Sequence, residues 1–483
     1  MQEIPQINIL DILNKLLNFQ GYTIKNVESD KEQIKYNLLM KHFQEKFPLI
    51  KDEILQLLDT VKTIQIIQGH QSEPHIHKEA ITDSIVIPIG DIHGDFEMFK
   101  YILFQLIKEK YLDENLQIID ERIKIVFMGD YIDNGYHQLA VLCLVLLLKI
   151  INPNNVYLIK GNHENPVTYN TYGFLKELQK HFPEEWIDIK KYIDQLFDTL
   201  PSLLYLQMPN GKRLHFSHGS APLEDVWDNI NIWLNDPLSN NFMHIYTQQC
   251  EWGEWSGLKY DCSCREIYTK FGLESISKYR ELLNIASIHC GHQDLEYGCK
   301  QIVKNIKEPI CVAPCIHDKQ MQCLMVQHNL TPITLEELQI GHDLTTNMYG
   351  DSQCPITITV ISTAPKICYD ACVSIINTAA SRVNYLIFRL PFFTDILHIE
   401  KKHTEILDID KLKSMICMDS IDVVILNNVI IKKLLTRVIY NTPYTINHDG
   451  SIQFHCVEEI KKLLLNDGEI QVYELLLQYY GKI

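Results

Sequence analysis

What this chain lacks narrows it first. Its longest apolar run, Leu139–Leu148, is ten residues, about half of the ~20 that a membrane-spanning helix needs. The opening Met1-Gln2-Glu3-Ile4-Pro5 has neither a basic segment nor an apolar core, so Sec export is not expected. No basic tract stands out, and 61 acidic against 44 basic residues give a formal charge of −17. That balance argues against a nucleic-acid partner. There is no Cys-x-x-Cys pair, and the 14 cysteines are scattered over 483 residues, which is not a secreted disulfide framework. Internal repeats and low-complexity stretches are absent. A hydrophobic content of 46% excludes global disorder. What remains is a globular cytoplasmic chain with no transmembrane segment, long enough for one domain with appendages or for two to three domains.

What is present is a set of short polar blocks between residues 90 and 292, each after an apolar, β-branched run. Ile85–Ile89 leads into Gly90-Asp91-Ile92-His93-Gly94, and Ile123–Met128 into Gly129-Asp130-Tyr131-Ile132-Asp133-Asn134-Gly135. Val156–Ile159 leads into Gly161-Asn162-His163-Glu164, Leu214–Phe216 into His218-Gly219, and Ile285–Ile288 into Gly291-His292. The runs read as buried strands. Asp, His and Asn side chains therefore gather at strand carboxyl ends, where α/β sheets place their sites.

Carboxylate oxygen, amide oxygen and neutral imidazole suit hard and borderline divalent metals. One metal would use Asp91, His93 and Asp130; a second would use Asp130, Asn162, His218 and His292. Asp130, with two oxygens, is the natural bridge. Two metals about 3.5–4 Å apart clamp a phosphoryl group and generate hydroxide between them. His163 is left over, which suits a general acid for the leaving alkoxide, with Asp133 holding its imidazole in the charged form. A single Gly-Asp-x-His-Gly is weak, because such pairs are common in turns. The joint pattern is what points to chemistry.

These blocks resemble the PPP family of metal-dependent protein serine/threonine phosphatases, within the metallophosphoesterase superfamily. The family signatures are Gly-Asp-x-His-Gly, Gly-Asp-x-x-Asp-Arg-Gly and Gly-Asn-His-Glu; the first and third stand intact. Gly129 through Tyr172-Gly173-Phe174 follows the eukaryotic-type pattern, and Trp252-Gly253, Arg265, Phe271-Gly272 and Cys290–Gln293 fall in the family's order. The resemblance covers roughly residues 80–394, and it implies the same metal and acid roles. It also implies two divalent ions, Mn²⁺ foremost with Fe or Zn as options, and a phosphoprotein substrate.

Departures bear on the substrate. Asn134 stands where the family has a phosphate-gripping Arg, Ile367 where the rim loop Ser362-Thr363-Ala364-Pro365 leads to Tyr, and Lys160 where Arg precedes Gly-Asn-His-Glu. Arg265 matches the second phosphate-binding Arg; Asn162 and Asn134 complete the candidate phosphate contacts. An amide in place of a guanidinium fork loses charge and bidentate geometry. An active but differently tuned enzyme is expected. It would act on phosphoserine or phosphothreonine, with phosphotyrosine, a small phosphoester such as a dinucleotide polyphosphate, or a binding scaffold as rivals. A divergent phosphatase with an extra tail is also similar to those that intracellular bacteria inject into host cells.

The resemblance implies an α/β metallophosphoesterase sandwich of two mixed β-sheets flanked by helices, with helical additions at both ends. Residues 1–79 read as helices, with stripes at Ile9, Leu10, Leu13, Leu16, Leu17 and at Ile54, Leu55, Leu58, Val61, and with Pro48 beginning a helix. His70, His75 and His77 read as a polar linker. Residues 80–394 form the catalytic domain, with an insertion at about 299–355 that is either a lid or surface decoration. Cys311, Cys315, His317 and Cys323 in that insertion match no standard zinc spacing. Cys262-Ser263-Cys264 reads as an ordinary loop. Residues 395–483 read as a mostly helical region open to a targeting partner, with a strand at 421–426 and amphipathic stretches at 457–465 and 469–480.

Overall fold

The computed structural model of this chain describes residues 8–19, 46–68, 75–135, 137–236, 242–244, 247–256, 260–264, 268–293, 299–302, 311–312, 325–326, 346–347, 357–361, 370–379, 382–389, 444–446 and 452–454. The chain divides into two compact units, residues 1–19 with 47–388, and residues 20–46 with 389–483.

The first unit opens with helices α1 (Ile9–Leu17) and α2 (Lys51–Ile67). Asn8 caps α1 through a bond from the Asp11 N–H. Pro48 does not begin α2. Ile50 is the cap residue, and its N–H donates to Glu53 at 2.9 Å, so the glutamate at the third helical position sets the start. Next come β1 (His75–Ala80), β2 (Ile85–Ile89), α3 (Phe96–Lys108), β3 (Ile123–Phe127), α4 (Gln138–Ile151) and β4 (Val156–Leu158). Helices α5 (Pro166–Tyr172), α6 (Phe174–His181) and α7 (Trp186–Phe197) precede β5 (Leu203–Gln207) and β6 (Arg213–Ser217). Then follow α8 (Trp227–Asn235), β7 (Phe242–His244), α9 (Gln248–Trp252), β8 (Glu254–Trp255), β9 (Cys262–Cys264), β10 (Tyr268–Phe271), α10 (Leu273–Leu283) and β11 (Ile285–Cys290). Strands β12 (Cys299–Ile302), β13 (Cys311–Val312), β14 (Met325–Val326), β15 (Thr346–Asn347), β16 (Thr357–Ile361), β17 (Asp370–Asn377) and β18 (Arg382–Arg389) complete the series.

Among the described residues, two large mixed sheets result. One runs β12-β16-β11-β6-β5-β1-β7 and the other β15-β18-β17-β2-β3-β4. The linker expected around His77 is instead strand β1, which pairs with β5 and β7. His77 is buried.

Period-two alternation sorts the side chains. Leu204, Leu206, Leu214 and Phe216 face one core with Val86, Val126 and Ile376 of the other sheet. Leu203 and Tyr205 face a second core with Trp227 of α8 and Tyr279 of α10. The first core holds the sheets face to face; each fully buried aliphatic side chain there contributes roughly 1.5–3 kcal/mol. In β11 a register shift between Ile285 and Ser287 changes the phase, so Ala286 and Ile288 face opposite cores. Helix α4 is apolar all round and buried on nearly every face.

This architecture aligns the site. β2, β3 and β4 are adjacent and parallel, as are β6 and β11, so the five polar blocks follow strand ends pointing the same way within each sheet. The second unit includes the antiparallel pair β19 (Tyr444–Ile446) and β20 (Ile452–Phe454). The stretches at 421–426, 457–465 and 469–480 lie outside the described residues, as do His70, Arg265, Cys315, His317, Cys323, Ile367 and the loop 362–365.

Candidate metal centre

Each block turns sharply after its strand. Among the described residues, non-glycine positions with positive φ concentrate in the blocks: His93 (48°), Asp130 (53°), Asp133 (66°), Asn134 (64°) and His292 (66°). Such strain costs of order 1–3 kcal/mol per residue and collects at functional sites. Two glycines are required by close approach. A Cβ on Gly161 would lie 2.3 Å from Asp130 Oδ1, and one on Gly291 would lie 2.1 Å from Asp91 Oδ1.

Glu164 braces the loops from behind. Its carboxylate accepts the N–H groups of Asp130 (2.7 Å), Tyr131 (3.0 Å) and Gly161 (2.9 Å). Burial and the nearby Asp130 lift this carboxyl to about 7, against the pull of those donors. The sequence displayed Glu164 inside a signature but gave it no role; its partners are backbone groups, which leave no mark on a sequence.

The histidine tautomers follow from carbonyl contacts, because a carbonyl oxygen can only accept. His93 Nδ1 lies 3.0 Å from the Ile132 oxygen, and His218 Nδ1 lies 2.9 Å from the Met128 oxygen. Both Nδ1 atoms therefore carry hydrogen, and both Nε2 atoms face the centre. His218 Nε2 lies 3.1 Å from Asp130 Oδ2, 2.9 Å from Asn162 Oδ1 and 3.2 Å from His292 Nδ1. His292 Nδ1 is also 2.9 Å from Asn162 Oδ1. One proton on His218 Nε2 can serve only one of its three neighbours. A cation among the four atoms serves all of them, so the donor set fits a divalent metal.

Among the described residues, two groups close tightly enough for a metal, His93–Asp130–His163 and Asp130–His218–His292, all buried. Asp130 belongs to both, through Oδ2: this atom is 3.4 Å from His93 Nε2 and 3.1 Å from His218 Nε2. Its Oδ1 is held by the His163 N–H at 3.0 Å. The bridge expected from two carboxylate oxygens thus converges on one. Asp91 lies outside both groups. Its two oxygens accept the His292 N–H at 3.1 Å each, and His163 takes the third place beside His93 and Asp130. Burial lifts the Asp91 carboxyl to about 7, with His218 opposing and Asp130 adding to it. Burial alone lowers His218, yet Asp130 and Asp91 outweigh it and raise His218 to about 9. Burial lowers His93 to about 4.

His163 Nδ1 donates to Asp133 Oδ2 at 2.7 Å. Asp133 is fully buried, and it is fixed by the Phe174 N–H at 3.1 Å and by its own N–H on Gln138 at 2.9 Å. Burial works against the imidazolium, but Asp130 and Asp133 together raise His163 above its ordinary value. Tyr172 packs its ring 5.2 Å from the His163 ring. Asn134 is half-buried, with its amide nitrogen 3.4 Å from His93 Nδ1. Lys160 is buried. Trp252 sets an edge against His292, with ring centres 5.9 Å apart, a contact absent from the sequence reading.

Residues 86–294 match the family described as calcineurin-like phosphoesterase. The chain is 37% identical over 112 residues to the serine/threonine-protein phosphatase 6 catalytic subunit of Caenorhabditis elegans, covering 23% of this chain and 30% of that one. It is 28% identical over 184 residues to the serine/threonine-protein phosphatase SIT4 of Candida albicans, covering 38% and 52%. The chain therefore spans about a third to a half of the length of these curated relatives. A solved protein serine/threonine phosphatase from Saccharomyces cerevisiae is 15% identical, with a TM-score of 0.45, over 71% of this chain and 90% of that one. All six candidate ligands lie inside the matched stretch, residues 86–294, which is similar to calcineurin-like phosphoesterases.

Proposed function

We propose that this chain is a metal-dependent phosphoprotein phosphatase that hydrolyses phosphomonoesters, phosphoserine and phosphothreonine foremost. The observation that carries the reading is the convergence of Asp130 Oδ2, Asn162 Oδ1, His218 Nε2 and His292 Nδ1, which lie 2.9–3.2 Å apart around His218 and Asn162. Asp91, His93 and Asp130 would hold one cation, and Asp130, Asn162, His218 and His292 the other, with Mn²⁺ the metal to supply. When bound, such a pair provides Lewis acidity toward phosphoryl oxygens and lowers the pKa of water.

The chain's own residues supply the remainder. His163, with Nδ1–H on Asp133, keeps Nε2 for donating a proton to the leaving alcohol oxygen as the P–O bond breaks. Asp133 orients that ring and favours its charged form. Arg265, Asn162 and Asn134 contact the phosphate. Residues 80–394 carry catalysis. The region 395–483 binds a targeting partner, and the protein works in the cytoplasm, a host cytosol included.

A second reading, preference for phosphotyrosine, is favoured by Asn134: a neutral amide beside His93 leaves a looser grip than a guanidinium fork. One experiment separates the readings. Matched phosphoserine, phosphothreonine and phosphotyrosine peptides are hydrolysed with Mn²⁺, with chelator, and by His163→Asn. We expect turnover that chelator abolishes and that His163→Asn lowers by about 10²–10⁴-fold, with the phosphoserine and phosphothreonine peptides ahead. A leading phosphotyrosine peptide selects the second reading. No turnover of any peptide by metal-loaded protein rejects both.

A further inference from the structure

Behind His218, on the outer face of β6, polar groups form a chain inside an otherwise apolar core. The Tyr205 and Tyr279 hydroxyls are hydrogen-bonded. Tyr279 Oη lies 3.0 Å from His215 Nδ1, and His215 Nε2 lies 2.9 Å from Ser217 Oγ. Ser217 Oγ donates to the Gly219 carbonyl at 3.1 Å. None of the four side chains is more than 1% exposed.

The proton positions follow by counting. The Gly219 oxygen can only accept, so Ser217 spends its one hydrogen there. His215 Nε2 must then be the donor to Ser217, and His215 Nδ1 must accept from Tyr279. Tyr279 in turn accepts from Tyr205. Run in reverse, the chain would leave the Tyr205 hydroxyl hydrogen without an acceptor among the described residues, a cost of about 1–3 kcal/mol for a buried donor. His215 is therefore neutral, with hydrogen on Nε2. Burial agrees, lowering this imidazole to about 3.

The chain ends on the carbonyl of Gly219, the residue that follows His218. The same Gly219 oxygen accepts Trp255 Nε1–H at 3.1 Å, and the Gly219 N–H donates to the Cys250 oxygen at 2.6 Å. With His218 Nδ1 already on the Met128 oxygen, the residue is fixed by its ring on one side and by its peptide on the other. We propose that Tyr205, Tyr279, His215 and Ser217 are a positioning relay, which sets the Gly219–Ser220 peptide, so holds Gly219 beside His218 and aims His218 Nε2 at the metal. None of the four touches reacting atoms. The inference rests on the metal reading above, but its test does not use turnover.

The test is Mn²⁺ binding to the metal-free full-length chain by calorimetry, together with ¹⁵N NMR of the histidine rings. Partners behind a metal ligand typically contribute 10–100-fold in affinity; one peptide removed, we expect the low end of that range. Ser217→Ala should weaken Mn²⁺ binding about tenfold, Tyr279→Phe less, and Tyr205→Phe within about twofold, because Tyr279 still donates to His215. Simple loosening of the core would not give that order, since the tyrosine changes remove groups of equal size. In the wild type, His215 should show bare Nδ1 and protonated Nε2. Wild-type affinity in folded Ser217→Ala overturns the relay, and so does a hydrogen on His215 Nδ1. The NMR result stands even if a variant fails to fold. Absence of Mn²⁺ binding by the wild type rejects the metal reading itself and the relay's purpose with it.

Discussion

Two buried polar regions of this chain resolve the same difficulty in opposite ways. At the carboxyl-terminal end of α4, Lys149 is 1% exposed, yet its ammonium meets three oxygens: Gln68 Oε1 at 2.9 Å, and the Pro153 and Val156 carbonyls at 2.7 Å each. Three donors find three acceptors, and a cation at a helix carboxyl terminus is favoured besides. At the strand ends, acceptors face acceptors: around His218 Nε2 stand a carboxylate oxygen, an amide oxygen and a second imidazole nitrogen. Buried polar groups are normally satisfied from within the chain. Where α4 ends, the chain supplies the cation itself; at the strand ends it supplies only the cage.

The largest test of this contrast is Asp130→Asn. It replaces the one oxygen common to both groups, and we expect a loss of about 10³-fold in kcat/KM; activity within tenfold of wild type would break the contrast at its centre. Next is Lys149→Met, which takes the ammonium from three oxygens, of which Pro153 O keeps a second donor, Gln68 Nε2–H at 2.7 Å. Denaturant unfolding should show a loss of about 3 kcal/mol, while Mn²⁺ affinity stays unchanged. If Mn²⁺ affinity fell as well, the two regions would not be independent. Close behind is added metal. Mn²⁺ at about 100 times its Kd should stabilise the wild type by about 2.7 kcal/mol per site. The gain should be equal in Lys149→Met and much reduced in Asp130→Asn.

The remaining test is in pH. Burial pulls Lys149 down to about 7 from 10.5. Between those values the unfolded chain keeps a proton that the folded chain sheds, so the wild type should gain stability relative to Lys149→Met as pH rises from about 7 to about 10. A flat difference between the two proteins would mean that the three oxygens hold the ammonium charged throughout.

Much of this was legible in the sequence because it depends on period and punctuation. Apolar runs such as Ile85–Ile89 and Ile123–Met128 ended in Gly-Asp, and each became a strand with a left-handed turn behind it. The helical run Leu139–Leu148 was plain for the same reason. What failed was tertiary in origin. His75–Ala80 has little apolar alternation of its own, and its strand is imposed by β5 and β7. The N–H of His292 that holds both Asp91 oxygens is a backbone group, which a sequence does not mark. The tautomers of His93 and His218 depend on the carbonyls of Ile132 and Met128, and every residue has a carbonyl. His215 was visible only as part of a strand, because its partners lie on β5 and α10.

The Glu164 carboxylate, shared among the N–H groups of Asp130, Tyr131 and Gly161, bears on how such a chain can diverge. It makes the second and third signatures a single mechanical block, so drift in either would disturb both. Asn134 lies beyond that clasp, with its side chain toward His93. The position can trade a guanidinium for an amide while the loops bearing Asp130 and Asn162 keep their places. On the proposed phosphatase reading, a lineage built this way can change what it grips without rebuilding its cage of metal ligands.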